Sequence, residues 1–167
     1  MLMKSPKRFE SIVPLSREHH YALLICLSIN RGLLQRPDDK DWIIRKADNV
    51  VKFYQCELVT HFKAEEEILF PVIKQLHFNT FALNQYIDEH RGLENIILQL
   101  KSIDKLTQEN LKEFARILEG HIRKEERELF PFYQEHVDPE MDREVQNNIR
   151  SYIGDASKPR YRELFDE

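Results

Sequence analysis

An eleven-residue pattern that occurs twice constrains this chain more than any other feature. Residues 61–71 read His-Phe-Lys-Ala-Glu-Glu-Glu-Ile-Leu-Phe-Pro, and residues 121–131 read His-Ile-Arg-Lys-Glu-Glu-Arg-Glu-Leu-Phe-Pro. Both copies share a histidine, a glutamate four positions later, a second glutamate beside it and a Leu-Phe-Pro ending. On an α-helix this spacing places the histidine and the first glutamate on one face, about 6 Å apart along the axis. An imidazole and a carboxylate so placed can bind a metal ion, and the repetition predicts a symmetric site.

Composition favours a single soluble, all-α domain. The chain has 167 residues, of which 41% are hydrophobic and 32% charged, with only four glycines. A net charge of −4 argues against a nucleic-acid partner. No apolar run is long enough to cross a membrane, and residues 1–16 contain no apolar stretch of a secretory signal. The two cysteines have no metal-site spacing, which fits reduced, buried thiols in a cytoplasmic protein.

Apolar residues recur at helical spacing in four long segments and one short one. The predicted helices span about residues 15–34, 41–75, 81–102, a fourth capped by Thr107 that includes the second repeat, and 139–153, which Asp138 caps and Gly154 ends. Short connections between long amphipathic helices predict an up-down-up-down four-helix bundle with a short fifth helix. We expect this domain to occupy residues 1–154 and to be followed by a loosely ordered polar tail, residues 155–167.

A histidine takes the place of an apolar residue near the middle of each long helix. The four are His20, His61, His90 and His121. In the predicted topology each apolar stripe faces the same central seam, so the four imidazoles should lie at similar depth. On the first helix two neighbouring histidines compete. Spacing to Leu23 and Leu27 favours His20, and His19 is the alternative.

The glutamates four residues after two of these histidines strengthen the prediction of a metal site. Glu65 and Glu125 fall on the same buried stripes. An uncompensated carboxylate in a bundle core costs on the order of several kcal/mol, and the lysines and arginines lie mainly off the stripes. A bound metal ion is the simplest compensation, and a polar network without metal is the alternative.

These residues give the chain a specific resemblance to the hemerythrin-like family, the HHE cation-binding domain. That family carries a histidine on its first and third helices and His-x-x-x-Glu on its second and fourth. The matching positions are His20, His61, Glu65, His90, His121 and Glu125. The resemblance covers nearly all of the first 135 residues. It implies a four-helix bundle that holds two non-haem iron ions, bridged by carboxylates and by an oxo or hydroxo group.

The implied ligand set leaves room for a small exogenous ligand. Four imidazoles and two bridging carboxylates give each iron four protein ligands, so octahedral iron retains about two open positions. This count favours iron or manganese over tetrahedral zinc, and the family resemblance makes iron the expected metal, ahead of manganese or zinc. Oxygen-carrying hemerythrins have a further histidine four residues after the third-helix histidine, where this chain has Glu94, either a seventh ligand or a surface residue. Glu66 and Glu126 are expected to support the ligands rather than bind metal.

Three functions fit this site to different degrees. The first is binding or sensing of oxygen, nitric oxide or iron. The second is an oxidoreductase that acts on peroxide or another small oxidant, and the third is a structural protein that the metal merely stabilises. We expect the first, with a small diatomic ligand or peroxide as the partner and no nucleic-acid or membrane partner. Whether the protein is an enzyme stays open at this point.

Overall fold

The fold of residues 7–161, the part of the chain that a computed structural model describes, consists of helices without any strand. Helix α1 spans Val13–Gln35, α2 residues 40–75, α3 Thr80–Leu100, α4 residues 108–136 and α5 Pro139–Ile153, with one 3-10 turn at Ile103–Lys105. The prediction of an all-α fold is confirmed, and the helix bounds lie close to those expected from the sequence. Helix α4 packs against both α1 and α3, and α5 packs against the middle of α2.

Side chains at the helix ends satisfy the backbone groups that helices leave unpaired. The Asp39 carboxylate accepts the backbone N–H three residues further on and begins α2. Thr107 and Asn110 form a capping box at the start of α4. Asp138 accepts two backbone N–H groups in the first turn of α5. Gly154 ends α5 with φ of 65°, a conformation that glycine adopts at little cost.

Helices α2 and α4 contain π-helical turns. These lie at Tyr54–Leu58 and Glu65–Leu69 in α2 and at Glu125–Leu129 in α4. The last two occupy equivalent positions of the sequence repeat, starting at its first glutamate and ending two residues before Pro71 and Pro131. A proline has no N–H, and its ring crowds the carbonyl four residues earlier, so a wider turn relieves that contact. The sequence analysis did not predict these π-helical turns.

A polar layer divides the bundle core into two apolar clusters. On α1, for example, Leu15 belongs to one cluster, Ala22 belongs to the other, and the buried His19 lies between them. Helix α5 extends the cluster that contains Leu15 by burying Val145, Ile149 and Ile153. The stability of the bundle therefore depends on how the polar groups of the intervening layer are satisfied.

The buried face of α1 differs from the predicted one. Leu24, Leu27 and Leu34 are 37%, 43% and 84% exposed, and His20 is exposed as well. The buried residues of α1 are Pro14, Leu15, Glu18, His19, Ala22, Ile25, Cys26, Ile29 and Gly32. A step of one residue turns a helix by about 100°, so the predicted stripe was wrong by one position.

The segment after α5 lies against the bundle. Arg17 Nη1 donates to the carbonyl of Asp155 over 2.8 Å, and the Tyr161 N–H donates to Glu57 over 2.7 Å. Residues 155–161 therefore differ from the loosely ordered tail that the sequence predicted. The remaining residues of that predicted tail lie outside the described part of the chain.

Two expectations drawn from composition can be compared with the described residues. None of their helices combines the length and the apolar character that crossing a bilayer requires. Both cysteines are free thiols, but only Cys26 is buried, whereas Cys56 is exposed. The expectation of two buried thiols is therefore wrong for Cys56.

Two helix-interior glycines provide a test of this packing. A Cβ at Gly32 would lie 1.9 Å from Cζ2 of Trp42, which is 2% exposed, so we expect Gly32→Ala to lower the free energy of unfolding by about 1–3 kcal/mol. A Cβ at Gly120 meets nothing within 4 Å, so Gly120→Ala should raise it by up to about 1 kcal/mol through helix propensity. Urea unfolding of the metal-free proteins measures both. If Gly32→Ala had the same free energy of unfolding as the wild type, the close contact between Gly32 and Trp42 would be contradicted.

Candidate metal centre

Six residues, none more than 2% exposed, meet in the polar layer. They are His19, His61, Glu65, His90, His121 and Glu125. In the first half-site, His19 and His61 face the two glutamates, and in the second half-site His90 and His121 face the same two glutamates. Within each half-site the potential ligand atoms all lie within 4.8 Å of one another. Because both half-sites include Glu65 and Glu125, we call these two the central carboxylates.

Each central carboxylate turns one oxygen toward each half-site. Glu65 Oε1 lies 3.1 Å from His61 Nε2, and its Oε2 lies 3.3 Å from His90 Nε2. Glu125 is oriented likewise, with oxygens 3.2 and 3.3 Å from the Nε2 atoms of the other two histidines. Each half-site therefore presents two imidazole nitrogens and two carboxylate oxygens. Equivalent π-helical turns begin at both glutamates. The backbone geometry is therefore alike at the two positions and orients the two side chains symmetrically.

A second glutamate holds the far nitrogen of each histidine, and we call these four the outer carboxylates. They are Glu18 on His61 at 2.9 Å, Glu66 on His90 at 2.7 Å, Glu89 on His121 at 2.9 Å and Glu126 on His19 at 2.8 Å, each measured to Nδ1. Each helix thus orients the histidine of the next, and α4 closes the cycle onto α1. Donation of the Nδ1 proton leaves Nε2 as a lone pair directed at the centre.

At most one proton in each pair of histidines can satisfy these inward lone pairs. The two Nε2 atoms are 3.1 Å apart between His19 and His61 and 3.0 Å apart between His90 and His121, which leaves room for one proton in each pair. All four oxygens of the central carboxylates are buried without a hydrogen-bond partner. Lone pairs crowded in this way favour a bound cation, and the shared protons supply part of that positive charge in the metal-free site. Nitrogen and oxygen donors without thiolate fit a divalent first-row transition metal ion in each half-site.

The neighbouring charges hold protons in the metal-free site. Burial alone would lower the pKa of a histidine, but the carboxylates outweigh it and raise the pKa of His61 and His90 to about 9. The pKa of His19 is likewise raised well above its usual value. Burial opposes ionisation of Glu126, yet its hydrogen bond with His19 lowers its pKa to about 2. The space between facing Nε2 atoms admits one proton. Each half-site therefore holds about one proton at neutral pH, and a metal ion must displace it.

Aromatic rings enclose the cluster. Phe62 stacks on His90 with ring centroids 3.9 Å apart, and Phe130 stacks on His19 at 5.4 Å. Tyr86 is 3% exposed, and burial raises its pKa above the usual range, so its hydroxyl stays protonated. These rings limit water and restrict rotation of the imidazoles.

The structure brings together five of the six side chains that the sequence selected. Those five are His61, Glu65, His90, His121 and Glu125. The choice of His20 is wrong, because the buried face of α1 is rotated by one residue and His19 takes the inward position. Glu94 lies outside the cluster and pairs with Arg91 at the surface. That these residues bind metal stays a prediction.

Two of the four outer carboxylates were missed by the sequence analysis. The repeat suggested supporting roles for Glu66 and Glu126, and each does hold a histidine. Glu18 and Glu89 lie outside the repeat, and no role was predicted for them, although each directly precedes a site histidine in the sequence. A neighbouring residue points about 100° away around the helix and therefore toward the adjacent helix. A glutamate immediately before a site histidine was therefore the sequence signal that could have identified these two outer carboxylates.

The adjacent histidines of α1 supply a matched pair of variants. We expect His19→Ala to weaken metal binding by at least about tenfold, because it removes a nitrogen from the first half-site. His20→Ala should leave binding unchanged, because His20 is exposed. Elemental analysis after dialysis against a dilute chelator measures the retained metal. The reverse pattern would restore His20 as the ligand.

Metal binding should release protons. At pH 7 we expect about two protons per chain to be lost when both half-sites fill, because a metal ion displaces the shared proton of each pair. Above the raised pKa of about 9 of His61 and His90, release should decrease, because protons held by these histidines have then begun to dissociate before the metal binds. Calorimetry with Mn²⁺ in buffers of different ionisation enthalpy counts the protons. Equal heats in all buffers at pH 7 would contradict the shared-proton arrangement.

Comparison with known proteins gives one match. The family model for the hemerythrin HHE cation binding domain matches residues 11–133, which include all six clustered side chains. No curated protein and no solved structure gave a significant match to the chain. The family match covers most of the chain and the described cluster supplies suitable ligands for a cation. This chain therefore belongs to the hemerythrin HHE cation-binding domain family.

Proposed function

We propose that this protein holds two non-haem iron ions, one in each half-site, and binds oxygen or a related small ligand such as nitric oxide. The observation that carries the proposal is the sharing of both central carboxylates by two half-sites of identical donor type. The proposal includes an up-down-up-down order of α1 to α4. That order would let each long helix deliver one histidine to the same level of the bundle.

The donor count supports iron with open positions. Two imidazoles and two shared carboxylates give four protein ligands in each half-site, and a six-coordinate metal keeps about two further positions. Tetrahedral zinc would have none left. Iron bound in this way would supply reversible redox chemistry and a place for a small exogenous ligand.

The chain's own residues would control geometry and access. The outer carboxylates fix each imidazole, and the aromatic rings limit water around the cluster. A surface groove of about 710 Å³ between α3 and α4 is lined by His121 together with Glu89 and Lys124. Gly92 and Gly120 also line it, and a Cβ at either would meet nothing within 4 Å. The groove would give a small ligand a path toward the second half-site.

An oxidoreductase acting on peroxide or another small oxidant is the second candidate. It is favoured by the equal donor sets, because neither half-site is saturated and a substrate with two oxygen atoms could engage both. Tyr86 packs its ring against His121 with centroids 5.7 Å apart, and its raised pKa makes its hydroxyl a hydrogen-bond donor rather than a base. Around this site, fewer residues are therefore suited to acid–base catalysis than to ligand binding.

Iron content and its optical signature test the proposal. We expect about two irons per purified chain, with near-ultraviolet bands that vanish on reduction and return in air. Glu125→Gln should lose most of this iron, because it removes the negative charge that both half-sites share. The exposed Glu128 lies in the same π-helical turn, so Glu128→Gln is the matched control and should retain the iron.

The same measurement separates the candidates. A spectrum that changes reversibly with oxygen pressure supports ligand binding. Irreversible oxidation with catalytic consumption of added peroxide supports the oxidoreductase. A chain with zinc alone, or with no metal after expression in iron-rich medium and anaerobic reconstitution with Fe²⁺, would overturn the di-iron proposal.

A further inference from the structure

Each outer carboxylate is itself paired with a cation. The pairs are Glu18 with Arg160, Glu66 with Arg91, Glu89 with Lys124, and Glu126 with Arg8. Arg91 and Lys124 belong to α3 and α4 and serve the second half-site. Arg8 precedes α1 and Arg160 follows α5, and both serve the first half-site. The family match, residues 11–133, includes neither of these last two, so the chain ends support the first half-site from outside it.

The pair formed by Glu18 and Arg160 is the most buried of the four. The Glu18 side chain is 3% exposed, whereas those of Glu66, Glu89 and Glu126 are 22%, 27% and 28% exposed. A buried carboxylate is poorly screened, so removal of its cation has a larger effect than at an exposed pair. Glu18 Oε1 lies 2.8 Å from Arg160 Nη2 without a well-directed hydrogen bond, so the contact is electrostatic.

The Arg160 guanidinium is fixed by α2 as well. Its Nε donates to the Cys56 carbonyl over 2.7 Å and its Nη2 to the Glu57 carbonyl over 3.0 Å. The Glu57 carboxylate, 2% exposed, lies 3.2 Å from Nη2 and accepts the Tyr161 N–H over 2.7 Å. One guanidinium from the C-terminal segment therefore joins two buried carboxylates, Glu18 of α1 and Glu57 of α2.

A short path connects this guanidinium to the first half-site. Arg160 contacts Glu18 Oε1, the other oxygen of Glu18 accepts from His61 Nδ1, and His61 Nε2 points at the centre. A metal ion at that Nε2 would fix the position of the imidazole. Its Nδ1–H would then hold Glu18 in the orientation that presents Oε1 to Arg160.

We propose that Arg160 is a positioning residue of the first half-site, and that residues 155–161 dock more tightly on the bundle when that half-site holds metal. This inference rests on the proposed function. Because linkage is reciprocal, docking raises metal affinity by the same factor by which metal strengthens docking. The C-terminal segment thereby reports occupancy of one half-site, which supplies the output that a sensor requires.

The test adds Fe²⁺ anaerobically to the metal-free full-length protein. Competition with a coloured chelator measures the two affinities, and hydrogen exchange measures protection of the Tyr161 N–H. In the wild type we expect Fe²⁺ to slow this exchange. Arg160→Gln should weaken one of the two iron equivalents by about tenfold and abolish the response of Tyr161. Arg160→Lys keeps the charge with fewer donors and should restore part of the affinity.

Arg91→Gln is the matched control, because it removes an outer cation of the second half-site. It should weaken binding by less than about threefold, since Glu66 is partly solvated, and leave the response of Tyr161 intact. In a His19→Ala background, in which the first half-site is already impaired, Arg160→Gln should cause little further loss. A His90→Ala background should retain the full effect of Arg160→Gln.

The outcomes that contradict this inference differ from those that contradict the proposed function. Wild-type affinity for both irons in Arg160→Gln, with melting of the metal-free protein unchanged, would overturn the positioning role. Tyr161 exchange that is identical with and without Fe²⁺ in the wild type would overturn the linkage. Failure of the wild type to bind Fe²⁺ overturns the proposed function, and is seen before any variant is made.

Discussion

The donation of each Nδ1 proton to a glutamate on the preceding helix is the interaction on which the centre depends. It sets the tautomer of all four histidines, and this leaves their Nε2 lone pairs directed inward. It also links the four long helices in a closed cycle, so the depth of each helix is fixed by its neighbour. Without these bonds the imidazoles could rotate, and the two central carboxylates would face apolar rings instead of nitrogen atoms.

The layer that these bonds create would be unfavourable in a bundle selected for stability alone. An apolar layer would join the two hydrophobic clusters into one continuous core, whereas the polar layer contains two carboxylates without a hydrogen-bond donor. A network of this kind is favourable only when every member is satisfied. A bound cation would complete it, so we expect metal binding and the stability of the bundle to be coupled.

Most of this centre could be predicted from the sequence, because the repeat itself shows which residues of α2 and α4 lie on the inward face. On α2 and α4 the histidine, the glutamate and the proline fix the inward face, and the structure agrees there. On α1 no repeat exists, and exposed leucines such as Leu27 imitate a core stripe, so His20 was chosen over His19. Glu18 was missed because its partner lies on another helix, and no periodicity within one helix reports such a contact. The docking of Arg160 depends on long-range contacts in the same way.

The repeat gives the two half-sites the same donor atoms. The cations that pair with their outer carboxylates, however, lie on different parts of the chain. The outer carboxylates of the second half-site are paired with Arg91 and Lys124, whose backbones belong to α3 and α4. Those of the first half-site are paired with Arg8 and Arg160 on segments that flank the bundle. Non-helical segments open at lower free energy than bundle helices, so we expect the first half-site to be able to change affinity while the fold persists. This difference is what the proposed sensing role would use, because the second half-site would maintain the bundle while occupancy of the first would tighten the docking of a surface segment.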